Sequence, residues 1–116
     1  MRKITSQSVD AFDNEYRFSQ GNTTVSDCGA TEIQEWYLKL HNNLIAKKIV
    51  STDELWITDA GWQTVTTKER LNGVLSRLTF NWGLFQKKGE WYLTDDDVTV
   101  KWTGSATFRD GNLINS

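Results

Sequence analysis

Short stretches in which apolar and polar residues alternate constrain this fold more than any other feature. Trp36, Leu38 and Leu40 alternate with Tyr37 and Lys39, the two-residue period of a strand with one buried face. His41-Asn42-Asn43 follows, and Asn tolerates the positive φ that tight hairpins require. Leu44 to Val50 is therefore expected to run back as a partner strand, and Ser51-Thr52-Asp53-Glu54 to turn into a third, Leu55 to Thr58. Phe80, Trp82 and Leu84 alternate within Thr79 to Gln86, Lys87-Lys88-Gly89 bends the chain into Glu90 to Thr94, and Val98 to Thr103 makes another strand. Thr23-Thr24-Val25 offers one more.

Two segments follow a helical period instead. Val9, Phe12 and Tyr16 give one apolar face to a helix from about Ser6 to Tyr16, with Thr5 as N-cap and Ile4 and Val9 spaced as a hydrophobic staple. Thr66 with Glu69 three residues on reads as a capping box, and Leu71, Val74, Leu75 and Leu78 then form a single stripe. The tail after Gly104, residues 105–116, is expected to fray around a turn at Asp110-Gly111, with Phe108 and Leu113 available to dock. Together these predict a single α+β domain over residues 1–116. Its antiparallel sheet has about five to seven strands, with two helices packed on one face.

Composition narrows the function. Among 116 residues there are six Trp, five Phe, three Tyr and no Pro, so the chain has large groups to bury and its element ends fall to Gly, Asn and Asp. The net charge of −2 announces neither a nucleic-acid binder nor an acidic mimic of DNA. Cys28 is the sole cysteine, which excludes an intrachain disulfide and a multi-cysteine zinc cluster and fits a reducing compartment. The N-terminus has no apolar run behind its basic start, so no signal peptide is expected, and no stretch is long enough to span a membrane. Cytoplasm is the expected location.

No motif announces chemistry. Cys28 and His41 lack the spacing of a nucleophile and its base, and are read as a small apolar filler and a turn residue. Asp95-Asp96-Asp97 lacks the alternating ligands, Gly and closing Glu of a calcium loop and is read as a solvated turn. Phosphate-binding glycine loops and a serine nucleophile elbow are absent. No catalytic residue, metal or cofactor is expected.

Asp59 to Asn72 is the most distinctive stretch. It leaves a strand, crosses a loop bearing Trp62 and opens a helix whose N-terminus, with Thr64, Thr66 and Thr67, could receive an anion. Trp62, Gln63, Lys68 and Arg70 are the expected contacts to a partner protein, because Trp and Arg dominate interface hot spots. Basic and aromatic residues also interleave, and a nucleic-acid-binding alternative would use Lys47, Lys48, Trp62, Lys68, Arg70, Lys87 and Lys88. An antiparallel edge strand could also pair two copies into a dimer.

The runs Leu40-His41-Asn42-Asn43-Leu44-Ile45-Ala46-Lys47-Lys48, Trp56-Ile57-Thr58-Asp59-Ala60-Gly61-Trp62, Thr66-Thr67-Lys68-Glu69-Arg70-Leu71-Asn72 and Gly89-Glu90-Trp91-Tyr92-Leu93 resemble a family of small proteins encoded by tailed bacteriophages. The resemblance covers roughly residues 1–94 and is not seen beyond Trp102. It implies a phage accessory protein acting in the host bacterial cytoplasm. The corresponding expectation is a non-enzymatic protein that binds and blocks a host protein, such as a defence nuclease or effector, in the manner of an anti-CRISPR or anti-restriction protein. Binding to phage or host DNA or RNA is the alternative.

Overall fold

The computed structural model describes residues 2–32 and 34–116. In chain order the elements are α1 (Lys3–Asn14), β1 (Phe18–Gln20), β2 (Thr23–Asp27), β3 (Glu35–Leu40), β4 (Asn43–Ile49), β5 (Glu54–Thr58), α2 (Val65–Leu78), β6 (Gly83–Lys87), β7 (Glu90–Thr94), β8 (Thr99–Lys101), β9 (Ser105–Arg109) and β10 (Asn112–Asn115). They form an α+β domain with a seven-stranded antiparallel sheet, β1-β2-β3-β4-β5-β9-β10, and a separate three-stranded sheet, β6-β7-β8.

The expected meander β3-β4-β5 stands at the centre of the large sheet. Its first turn pairs Leu40 with Asn43 and places His41 and Asn42 at φ 51° and 65°, the two left-handed residues of a type I′ hairpin. Lys88-Gly89 and Asp110-Gly111 repeat that device between β6 and β7 and between β9 and β10. Gly111 is needed twice over, since a Cβ there would lie 2.8 Å from the Phe80 ring.

Register sorts the side chains. Val25, Leu38, Ala46, Ile57 and Ala106 line up across five strands and are all buried. The two helices cover this face side by side, α1 over β1 to β3 and α2 over β4. A register shift in the β3–β4 pairing lets Ile45 and Ala46 both be buried, as a β-bulge does. The opposite face is open. It carries the row Ser26, Tyr37, Lys47, Trp56 and Thr107.

The small sheet packs on the other flank of α2. Asn72 fastens it: its Nδ2 donates to Leu84 O at 2.9 Å and its Oδ1 accepts from Leu84 N–H at 2.6 Å. Leu84, Trp91, Leu93 and Trp102 are buried behind that contact.

Four expectations are corrected. Residues 105–116 do not fray but contribute β9 and β10, and Phe108 is 1% exposed. The pairing of β9 with β5 spans the whole second helix and small sheet in sequence, so no local pattern announces it. The first helix begins at Lys3, its N-cap is Arg2 with no side-chain cap, and Thr5 lies one turn inside and fully buried. In α2 the cap is Thr64, whose Oγ1 accepts from Thr67 N–H at 3.1 Å; Glu69 turns instead toward Arg2, Thr5 and Arg70. Thr79 to Trp82 precede β6 rather than forming it, with Thr79 closing α2 by donating to Leu75 O at 2.6 Å and Asn81 at φ 61°.

Candidate functional site

Asp59 organises the most built surface feature of the molecule. It follows β5 directly, and its N–H donates to Gly104 O at 3.1 Å while Thr58 Oγ1 donates to the same carbonyl at 2.9 Å. The loop is thereby tied to the segment entering β9. Ala60 and Gly61 sit at φ 54° and 84°, and Trp62 N–H closes the turn on Asp59 O at 2.8 Å. The Asp59 carboxylate, itself buried, completes the arrangement. Its Oδ1 accepts from Gly61 N–H at 2.8 Å, and its Oδ2 accepts from Gln63 Nε2 at 3.2 Å and from the Trp102 indole at 2.9 Å.

This fixed turn presents Trp62 at 61% exposure. Beside it opens a pocket of about 390 Å³. Leu40, His41, Asn43 and Ile45 from the β3–β4 hairpin form one wall; Asp59, Ala60 and Trp62 form the second; Thr64, Thr66 and Thr67 at the start of α2 form the third. The volume falls at the small end of ligand pockets, and the mixture of apolar wall and few polar groups is typical of them.

The expected partner contacts divide. Trp62 and Gln63 lie on this loop and are exposed. Lys68 is half-buried, its Nζ 5.9 Å from the centre of the Trp91 ring. Arg70 is 1% exposed and is no surface group. Its Nε donates to Thr23 Oγ1 at 3.3 Å, and its Nη1 donates to Thr5 Oγ1 and, at 3.2 Å, to Glu69 Oε1. Burial pushes the Arg70 guanidinium below its ordinary value, Arg2 adds to that, and Glu69 opposes it. Thr5 and Arg2 hold the Glu69 carboxyl low in turn. Arg70 joins the two helices to β2.

The basic set expected for nucleic acid is dispersed. Lys47 reaches over Trp56 on the open sheet face, 4.5 Å from the ring centre. Lys48 points to the other face, where its Nζ donates to Asp13 O at 2.7 Å and Glu15 Oε2 at 3.0 Å. Lys87 and Lys88 are exposed at the β6–β7 turn. Arg70 is in the core, so these residues line no common groove.

Cys28 and His41 stand at opposite ends of β3: Cys28 N–H donates to Glu35 O at 3.2 Å, while His41 follows Leu40. Cys28 is exposed rather than a filler, and backbone N–H groups of Ala30, Gln34 and Glu35 hold its thiol below the ordinary value. The acidic run is a hydrogen-bonded turn. Asp95 Oδ1 accepts from Asp97 N–H at 2.9 Å and Val98 N–H at 2.7 Å, and Asp96 Oδ2 accepts from Asn81 at 3.1 Å. Among the described residues, no three His, Cys, Asp or Glu side chains gather to hold a metal ion, and no helix is long and apolar enough to cross a membrane.

The chain matches the Kyanoviridae Gp96 protein family over residues 1–115. It belongs to that family of cyanophage proteins. The match continues through β9 and β10, past the point where the sequence resemblance was expected to stop, in keeping with their place in the large sheet. No curated protein and no solved structure matches it.

Asp59, Leu40, Asn43, Ile45 and Ala60 line the pocket and were not among the site residues that sequence reasoning named. A signal existed for Asp59 alone, an acidic residue at a strand end directly before Ala-Gly, the place where a carboxylate bonds the backbone of the following turn.

Proposed function

We propose that this member of the Kyanoviridae Gp96 protein family is a non-enzymatic binding module that covers a host protein, with Trp62 at the centre of the contact. The observation that carries the reading is the exposed Trp62 on a turn held by five hydrogen bonds of Asp59, two through its backbone and three through its carboxylate. A turn whose backbone is already held has little backbone entropy left to lose, and the exposed indole has much area to bury on docking. Gln63 on the same loop and the apolar wall of the adjoining pocket extend the contact surface. The proposal that the host protein is a defence nuclease or effector rests on the phage setting alone.

The test is affinity capture of the tagged protein from infected cells, with half of each sample treated with nuclease. The expected result is a discrete host protein that survives nuclease and is lost with Trp62→Ala. Recovery that Trp62→Ala leaves unchanged overturns the reading.

One observation favours the second reading, a single-stranded nucleic acid on the open sheet face. Lys47 lies over Trp56 with Tyr37 one strand away, and a base stacked on such a platform contributes about 1–3 kcal/mol. Lys47 and Arg109 on that face also meet Glu35 at 3.9 Å and Glu54 at 3.4 Å, which reduces its pull on phosphate. This reading requires affinity that falls steeply with salt and is lost with Trp56→Ala rather than Trp62→Ala.

A further inference from the structure

Among the described residues, the buried Asp59 carboxylate has neutral hydrogen-bond donors and no counter-ion. Its donors are a backbone N–H, the Gln63 amide and the Trp102 indole. No Lys, Arg or His nitrogen among the described residues lies within 4.0 Å of it. Hydrogen bonds from neutral groups satisfy lone pairs and leave the charge itself in place, and at 6% exposure water screens it poorly.

Asp59 lines the same pocket as Trp62. The start of α2 lines it too, and a helix N-terminus has a field worth about +0.5 of a charge. α2 has no acidic residue in its first turn. The Arg2 guanidinium that reaches Thr66 Oγ1 on the wall is paired with Glu69 at 2.9 Å, and the Asp59 charge is opposite in sign to the helix field and larger. His41 is the other ionisable group on the walls, and its Nε2 faces the Asn22 amide at 3.3 Å.

We propose that the pocket between Trp62 and Asp59 receives an arginine side chain of the partner protein. The proposal rests on the binding-module reading and names what that module recognises. The guanidinium is a planar cation that stacks on an indole face and is more weakly hydrated than an ammonium, so it enters a half-closed site at lower cost than lysine does. Its methylene stem has the apolar wall of Leu40 and Ile45 to lie against. A negatively charged partner group is disfavoured at the same place by Asp59.

The test is a nuclear magnetic resonance titration of the intact protein with N-acetylarginine amide, with N-acetylcitrulline amide as a neutral probe of the same shape. Arginine is expected to shift the Trp62 indole and the Ala60 and Gly61 amides saturably. Citrulline is expected to bind about tenfold more weakly or less. Trp62→Ala, whose side chain is solvent-facing, is expected to fold and to lose the arginine response. Asp59→Asn, where it folds, is expected to lose the preference for arginine over citrulline. Equal responses to the two probes, arginine shifts that map to Trp56 instead, or no shift at tens of millimolar each overturn the assignment. Loss of the captured host protein with Trp62→Ala, together with no arginine preference, overturns the arginine assignment alone and leaves the binding module standing. Arginine preference without a captured protein does the reverse.

Discussion

Asp59 and Arg70 flank the first turn of α2, and both bury a charge, yet their surroundings differ in kind. Arg70 meets a carboxylate and two hydroxyls from α1 and β2, so its charge is answered inside the molecule. Asp59 meets neutral donors and borders a pocket open to solvent. One charged side chain is spent on joining elements of the fold. The other shapes a surface loop and leaves a field for something outside. Burial by itself therefore does not separate structural from functional charges; the identity of the partners does.

The comparison is sharpest at Arg70. Arg70→Ala empties the space of a large, fully buried side chain and removes the N–H groups that the Thr5 and Thr23 oxygens accept from, while Glu69 keeps Arg2 and Thr5. It is expected to destabilise the fold by about 3 kcal/mol or more in urea denaturation. A loss under about 0.5 kcal/mol would erase the distinction between the two charges.

Asp59→Ala is expected to cost less, about 2 kcal/mol, because it leaves the buried Trp102 N–H without an acceptor while removing an unanswered charge. Hydrogen exchange should show Ala60 to Gln63 loosened in this variant, with β3 and α1 unchanged.

The first turn of α2, between the two charges, gives the next effect. Thr64→Ala removes the cap on Thr67 N–H and is expected to cost about 1 kcal/mol. Thr66→Ala, at the position the sequence pattern favours for the cap, is expected to cost under about 0.5 kcal/mol. Equal losses would restore the capping box.

The smallest effect concerns Glu69. Its carboxyl is held below the ordinary glutamate value of 4.5 by Thr5 and Arg2. The unfolded chain takes up the proton first as pH falls, so this group contributes stability that is present above pH 4.5 and lost as pH falls through its lower folded value. The acid limb of the stability profile should be shallower in Glu69→Gln, and a limb of unchanged slope would show that other carboxylates carry it.

The centre of the sheet was legible because its information is local. Trp36, Leu38 and Leu40 report a buried face by period, and His41-Asn42 and Lys88-Gly89 report turns by their tolerance of positive φ. The open face was not legible as open, since Lys47 and Trp56 follow the same alternation whichever face a helix covers. Of the candidate contacts, Trp62 and Gln63 proved exposed and Arg70 did not. An arginine near the start of a helix ordinarily faces water, and only the approach of Thr5 and Thr23 from elements distant in sequence provides it a polar interior.

By itself, then, the sequence determined the α+β class, the β3-β4-β5 meander, the apolar stripe of α2 and the turn positions, because period and turn chemistry act over a few residues. Tertiary structure decided which cap closes α2, that β9 enters beside β5, that the small sheet stands apart, and that Arg70 goes inward while Trp62 stays out. Each of these depends on groups distant in the chain competing for the same hydrogen bonds and the same buried space, and no local pattern records the outcome of that competition.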